Sequence, residues 1–190
     1  GIARWQTETS GAPMPVQLII MGDGYIADDY GAGGTFDQHV EQAIEAFFGV
    51  EPYTTYRNYF RISTVAVYSQ EQGATVKQDM TGCKAQTRNT AFSTVIDGGN
   101  STGISCDYKK VFSYALKVPG ASEEVLRNTT VLLLINLNVY AGTCMMESGG
   151  RSVSMCPAGP TFGSVVSHEG GGHGFGRLLV TADRLLVIAL

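Results

Sequence analysis

The chain is short of charge and neither sign dominates. Asp, Glu, Lys and Arg make up 16% of 190 residues, and 13 basic side chains face 17 acidic ones for a formal net charge of −4. With no basic stripe and no aromatics interleaved among cations, nucleic acid is excluded as a partner. No apolar run approaches the roughly 20 residues that a membrane-spanning helix needs. The most apolar end, Leu178 to Leu190, is too short and carries Asp183 and Arg184, so no membrane insertion is expected. Internal repeats and low-complexity runs are also missing, and 44% hydrophobic residues suit one domain over 1–190 with a real core. Gly1 is preceded by no Met and followed by no charged and apolar leader. The expectation is a removed signal peptide or a piece of a longer chain, and low charge with abundant Gly, Ser and Thr suits a secreted, periplasmic or cell-surface protein.

Several catalytic signatures are absent. No Cys-x-x-Cys occurs among the four cysteines, so neither a zinc knuckle nor a thioredoxin-type redox site is expected. There is no phosphate-binding Gly-Lys-Ser/Thr loop, and no nucleophile-elbow serine is read in the chain. The cysteines fall in two close pairs, Cys83 with Cys106 and Cys144 with Cys156. Disulfides within these pairs are expected, each stabilising by about 2 to 4 kcal/mol. The alternative is four reduced, mostly buried thiols, and sequence alone does not choose among the three possible pairings.

What is present reads as alternating strands and helices. Val16 to Met21 is a short, continuously apolar run that fits a buried strand, ending in the turn Gly22-Asp23-Gly24-Tyr25. Gly22-x-Gly24-x-x-Ala27 has a superficial dinucleotide spacing, but Asp23 would set a carboxylate beside a pyrophosphate and no helix opens there. A tight turn, with Asp23 bonding nearby amides, is the better reading. The clearest helix is Thr35 to Phe48, with Phe36, Val40, Ile44, Phe47 and Phe48 as its apolar stripe and a Thr35/Gln38 cap. His39 lies off that stripe and reads as a surface histidine. Tyr59 to Tyr68 reads as a strand, Asp107 to Lys117 as a shorter helix, and Thr129 to Leu137 as a central strand buried on both faces. Residues 69–106 are polar and weakly patterned, and 138–160 reads as a long loop that walls a cleft. The whole is α/β with a mixed sheet.

Chemistry concentrates in Ser167-His168-Glu169-Gly170-Gly171-Gly172-His173-Gly174-Phe175-Gly176, where two of the three histidines bracket a glutamate. Two neutral imidazoles can hold zinc while a glutamate takes a proton from a water polarised by the metal. The usual His-Glu-x-x-His spacing puts both rings on one helical face, and this motif is one residue longer. Five residues along an α-helix turn a side chain by about 140° from its starting direction. A π-type turn of about 4.4 residues brings it back to within about 50°, so a widened turn is predicted at Gly170 to Gly172. Three adjacent glycines cost a helix about 1 kcal/mol each relative to alanine. They imply a nonstandard backbone path or something packed close against it, such as a substrate chain. Glu169 is then the candidate general base, and His168 and His173 the candidate metal ligands.

Four separated stretches, Met21-Gly22-Asp23-Gly24-Tyr25, Phe47-Phe48-x-x-Glu51-Pro52-Tyr53-x-x-Tyr56-Arg57-x-Tyr59-Phe60, Tyr140-Ala141-Gly142-Thr143-Cys144 and His168 to Gly176, resemble the IgA-peptidase family of zinc metallopeptidases over residues 15–178. The resemblance implies a zincin-like metallopeptidase catalytic domain, α/β with a mixed sheet packed on an active-site helix. It also implies Zn2+ bound by His168 and His173, Glu169 as general base, and a protein or peptide substrate, without implying IgA itself. The family continues after its second histidine with a basic residue, leucine and an acidic Asp-Glu-Tyr segment that supplies a further ligand. Arg177-Leu178 matches, whereas Leu179-Val180-Thr181 does not and the first acid is Asp183. Either Asp183 is recruited by another chain path, or the end is truncated or frame-shifted. Two further classes stay open at this level: an inactive peptide-binding or cell-surface module that keeps the cleft, and a Cys/His hydrolase pairing Cys144 or Cys156 with His168.

Overall fold

The computed structural model describes residues 16–177, together with the strand backbone of Leu179–Thr181 and Arg184–Leu186, which pair as an antiparallel two-stranded ribbon. The fold is mixed α/β. Its centre is a five-stranded sheet built from β1 (Val16–Asp23), β2 (Phe60–Val65), β6 (Thr130–Ile135), β7 (Thr143–Met146) and β8 (Ser152–Pro157), ordered β2-β1-β6-β8-β7. The first four run parallel and β7 closes one edge antiparallel to β8. Every residue of β6 and β8 is buried, as expected for parallel strands covered on both faces.

The two faces follow from the period of two along each strand. Leu18, Ile20, Leu132, Leu134 and Cys156 point to one side, where α1 (Thr35–Phe48) supplies Phe36, Val40, Ala43 and Phe47. Ile19, Met21, Val131, Leu133, Ile135, Val153 and Met155 point to the other. There they meet α3 (Tyr108–Ala115) and a small sheet of β3 (Thr75–Gln78), β4 (Val95–Gly98) and β5 (Ser101–Ser105). Short helices α2 (Tyr53–Tyr56), α4 (Glu123–Leu126) and α5 (Phe162–Val165) complete the connections.

Some expectations are corrected here. Residues 69–106 hold the small sheet; its strands are four or five residues long and half exposed, too short for a period of two to stand out. The predicted loop 138–160 contains β7 and β8. Ser152 and Ser154 make β8 look polar, yet both are fully buried. The α1 cap is Gly34, with no side-chain cap bond, and Gln38 reaches instead to the Gly33 carbonyl at 2.9 Å.

The cysteines are all free, which overturns the two expected disulfides. Cys144 stands opposite Ser154 in the β7–β8 ladder, so Cys156 is its diagonal neighbour. Diagonal positions are about 7 to 8 Å apart, beyond the usual Cα separation of a disulfide. Cys83 instead directs its thiol to the Lys84 carbonyl at 3.2 Å.

Asp23 is the main polar anchor of this architecture. It ends β1, is fully buried, and its carboxylate accepts six hydrogen bonds. Oδ1 takes the amides of Gly24 and Phe92 and the Ser69 hydroxyl at 3.0–3.1 Å. Oδ2 takes the Thr90 hydroxyl at 2.9 Å, the Thr94 amide at 3.1 Å and the Thr94 hydroxyl at 2.5 Å. Only one of these donors is the nearby amide foreseen from sequence; the others are Ser69, 46 residues further along the chain, and groups of residues 90–94. Gly24, at φ +75°, lies so close to Gly73 that a side chain would strike its backbone. The end of β1 is therefore closed by protein, which leaves no phosphate cradle there.

His39 is half-buried rather than a surface histidine. Its Nδ1 meets the Tyr25 hydroxyl at 2.7 Å and its ring packs on Phe162. Burial lowers its pKa below 6.5, against a smaller opposing pull from Asp29.

Two outcomes are expected. Asp23→Ala, which orphans buried donors, should cost about 3 kcal/mol or more, read as a lowered urea midpoint; an unchanged midpoint would remove Asp23 as the anchor. Because the folded state disfavours the His39 imidazolium, the unfolded chain binds the extra proton, and His39 should reduce stability as pH falls below 6.5 while having no effect above it. In paired melts from pH 7.5 to 5, His39→Gln should lose less stability than the parent chain.

Candidate metal centre

The histidine motif follows α5 directly and is wound as a π-helix over Val166–Phe175. The predicted widening is present and extends through all ten residues of the element. It lies between α1 and the sheet, against β6, β7 and β8. Its glycines explain how it can lie so close. A Cβ at Gly170 would stand 2.6 Å from Leu132 Cδ2, and one at Gly174 would stand 2.5 Å from Thr130 Oγ1 and 2.8 Å from Ser154 Oγ. At Gly171 the obstacle is the Tyr53 ring, at 2.9 Å. What packs against these glycines is the protein's own sheet and α2, rather than a substrate chain.

Side chains outside the helix also bond its carbonyls. Ser154 Oγ donates to the Glu169 carbonyl at 2.8 Å, and the Tyr53 hydroxyl donates to the Gly171 carbonyl at 2.5 Å. Ser167 Oγ donates to Ala46 on α1 at 2.9 Å. Sequence reasoning missed Ser154. The signal was the Ser-x-Ser alternation of 152–154, whose period of two marks a strand with small polar residues on one face.

The winding brings all three predicted site residues together. His168 Nε2 and His173 Nε2 are 3.1 Å apart, with the rings perpendicular at 89°. A Glu169 carboxylate oxygen and one ring nitrogen of each histidine form a cluster of potential ligand atoms all within 4.8 Å of one another. His168 is exposed, while Glu169 and His173 are half-buried. Burial raises the Glu169 pKa, and the two histidines and the Cys144 backbone amide partly offset that rise. A cavity of about 490 Å³ opens beside Glu169 and His168, lined by Thr102, Tyr140, Gly142, Ser164 and Val165. No family model and no curated protein matches the chain.

The separation of the two imidazole nitrogens is compatible with zinc. Two nitrogens at about 2.0–2.1 Å from a tetrahedral ion stand about 3.3 Å apart, within a few tenths of an ångström of the separation found. Among the described residues the convergent donors are His168, Glu169 and His173. Asp183, the candidate further ligand, lies outside the described residues.

The competing nucleophiles fare worse. Burial raises the pKa of both Cys144 and Cys156, the opposite of an activated thiolate. Gly99-Asn100-Ser101-Thr102-Gly103 does have Gly-x-Ser-x-Gly spacing, contrary to the expectation that no such serine occurs. It forms the turn of the antiparallel β4–β5 pair and the start of β5, whereas a nucleophile elbow joins a strand to a helix. Ser101 Oγ accepts from the Gly103 amide at 3.0 Å.

Removing Gly172 would restore ordinary motif spacing but rotate His173 away from His168. Zinc affinity of that deletion variant, measured by competition with a chelating dye, is expected to fall. A rise would show that the widened turn is not what aligns the rings.

Proposed function

We propose that the protein is a zinc-dependent peptidase of zincin-like fold that hydrolyses peptide bonds in protein or peptide substrates. The observation that carries this reading is the 3.1 Å convergence of His168 and His173 beside the Glu169 carboxylate, at the mouth of a cavity. The motif order shared with the IgA-peptidase family supports the same conclusion. So does the mixed sheet, whose antiparallel edge strand β7 lies against the motif helix.

In this reading His168 and His173, whose Nε2 atoms converge, would hold the ion. When bound, zinc supplies a Lewis acid that polarises a carbonyl and acidifies a water. Glu169 is the general base: it takes a proton from the attacking water and later returns it to the leaving amine. The Cys144 backbone favours the charged form of that Glu169 carboxylate, against the effect of burial. Gly142 leaves it room, because a Cβ there would lie 3.0 Å from Oε1. The substrate chain lies along the cavity formed by Tyr140, Gly142, Ser164 and Val165.

Glu169→Gln should retain zinc by elemental analysis while turnover of a peptide library drops by roughly 10² to 10⁴. Full activity in that variant would take Glu169 out of the mechanism. Peptide binding that ignores a chelator, with no turnover by the parent chain, would identify an inactive binding module instead.

A further inference from the structure

A π-helix needs help to persist, because wide turns are rare and are usually single bulges inside an α-helix. Here ten residues keep that winding with three glycines in the middle, and glycine itself favours no helix. The structure shows where the support comes from. The Gly171 carbonyl accepts the Gly176 amide five residues ahead at 2.8 Å, and its second lone pair takes the Tyr53 hydroxyl at 2.5 Å. The Glu169 carbonyl takes the Ser154 hydroxyl at 2.8 Å. Both carbonyls lie between His168 and His173 in sequence, so both donors act on the turn that sets how far apart the imidazoles are.

Neither donor is free to wander. The Tyr53 ring is packed against Phe47, Phe60 and Phe175, with centroids 4.5 to 6.2 Å away. Ser154 sits on the fully buried strand β8 and also bonds Thr130 Oγ1 at 3.1 Å. One donor is fixed by the aromatic cluster around α2 and the other by the central sheet, and they approach the helix from different elements. A purely space-filling contact would need neither hydroxyl: phenylalanine and alanine would fill the same space.

We propose that Tyr53 and Ser154 are positioning residues of the metal centre, whose hydroxyls clamp the Gly171 and Glu169 carbonyls, hold the π-winding, and so set the His168–His173 separation. This rests on the metallopeptidase reading for its consequence, but the clamp has a metal-free signature of its own.

The test compares Tyr53→Phe and Ser154→Ala with the parent chain. Tyr53→Phe deletes one hydroxyl and keeps the ring, so it remains decisive if Ser154→Ala fails to fold. In the metal-free protein the Gly176 amide, which bonds the carbonyl that Tyr53 holds, should exchange with solvent at least about fivefold faster in Tyr53→Phe. Zinc affinity by dye competition should fall about 10- to 100-fold, the usual effect of losing a partner that orients a ligand. The absorption bands of Co2+ substituted for zinc should shift in both variants. A folded Tyr53→Phe protein with both Gly176 exchange and zinc affinity within twofold of the parent overturns the proposal. A parent chain that binds no zinc sinks the metallopeptidase reading instead, and the clamp is then decided by the exchange rates alone.

Discussion

Two imidazoles five residues apart share a helical face only if the backbone between them is wound wider than an α-helix, and that constraint governs the structure around the motif. A wide turn brings its backbone outward, so whatever lies beside it must be small or must yield. Gly170 and Gly174 lie against Leu132, Thr130 and Ser154 with no room for a methyl group. The sheet side answers in kind, with serines on β8 where a central strand would ordinarily carry larger apolar residues. Ser154 then serves twice, as a small residue that lets the helix approach and as a donor to one of its carbonyls.

The sheet can accept this intrusion because its stability comes from elsewhere. Leu133, Ile135, Val153 and Met155 bury their side chains on the face away from the motif, against α3 and the small sheet. On the motif side, Phe36, Phe47, Phe60 and Phe162 form the apolar mass around which the π-helix is laid. Asp23 joins the two halves. Five of its six hydrogen bonds tie the end of β1 to residues 69–94, so a long polar stretch becomes a fixed wall. Buried charge is tolerated there because every oxygen is saturated by donors.

Chemistry and packing are thus separable by residue. His168, Glu169 and His173 supply donor atoms and a carboxylate, while Gly142 leaves the space in which that carboxylate rests. Tyr53 lies between the two roles, since its ring belongs to the aromatic cluster and its hydroxyl to the motif.

Local pattern alone determined a good deal. An apolar stripe repeating at helical spacing gave α1 to the residue at both ends, continuous apolar runs gave β1 and β6, and the histidine spacing pointed to the widened turn, because each is read from backbone periodicity within a few residues. Short strands without a period, such as β3 to β5, and the serine-bearing β8 were not legible, since what makes them strands is the neighbour they pair with. The cysteine pairs looked close along the chain, yet in space Cys144 and Cys156 are only diagonal neighbours across a ladder. His39 looked solvent-facing until Tyr25 and Phe162 closed over it. Sequence fixed which residues could bind a metal and move a proton. Only the tertiary structure decided that their donor atoms converge, because that distance depends on hydroxyls and glycine contacts contributed by strands and a helix remote in the chain.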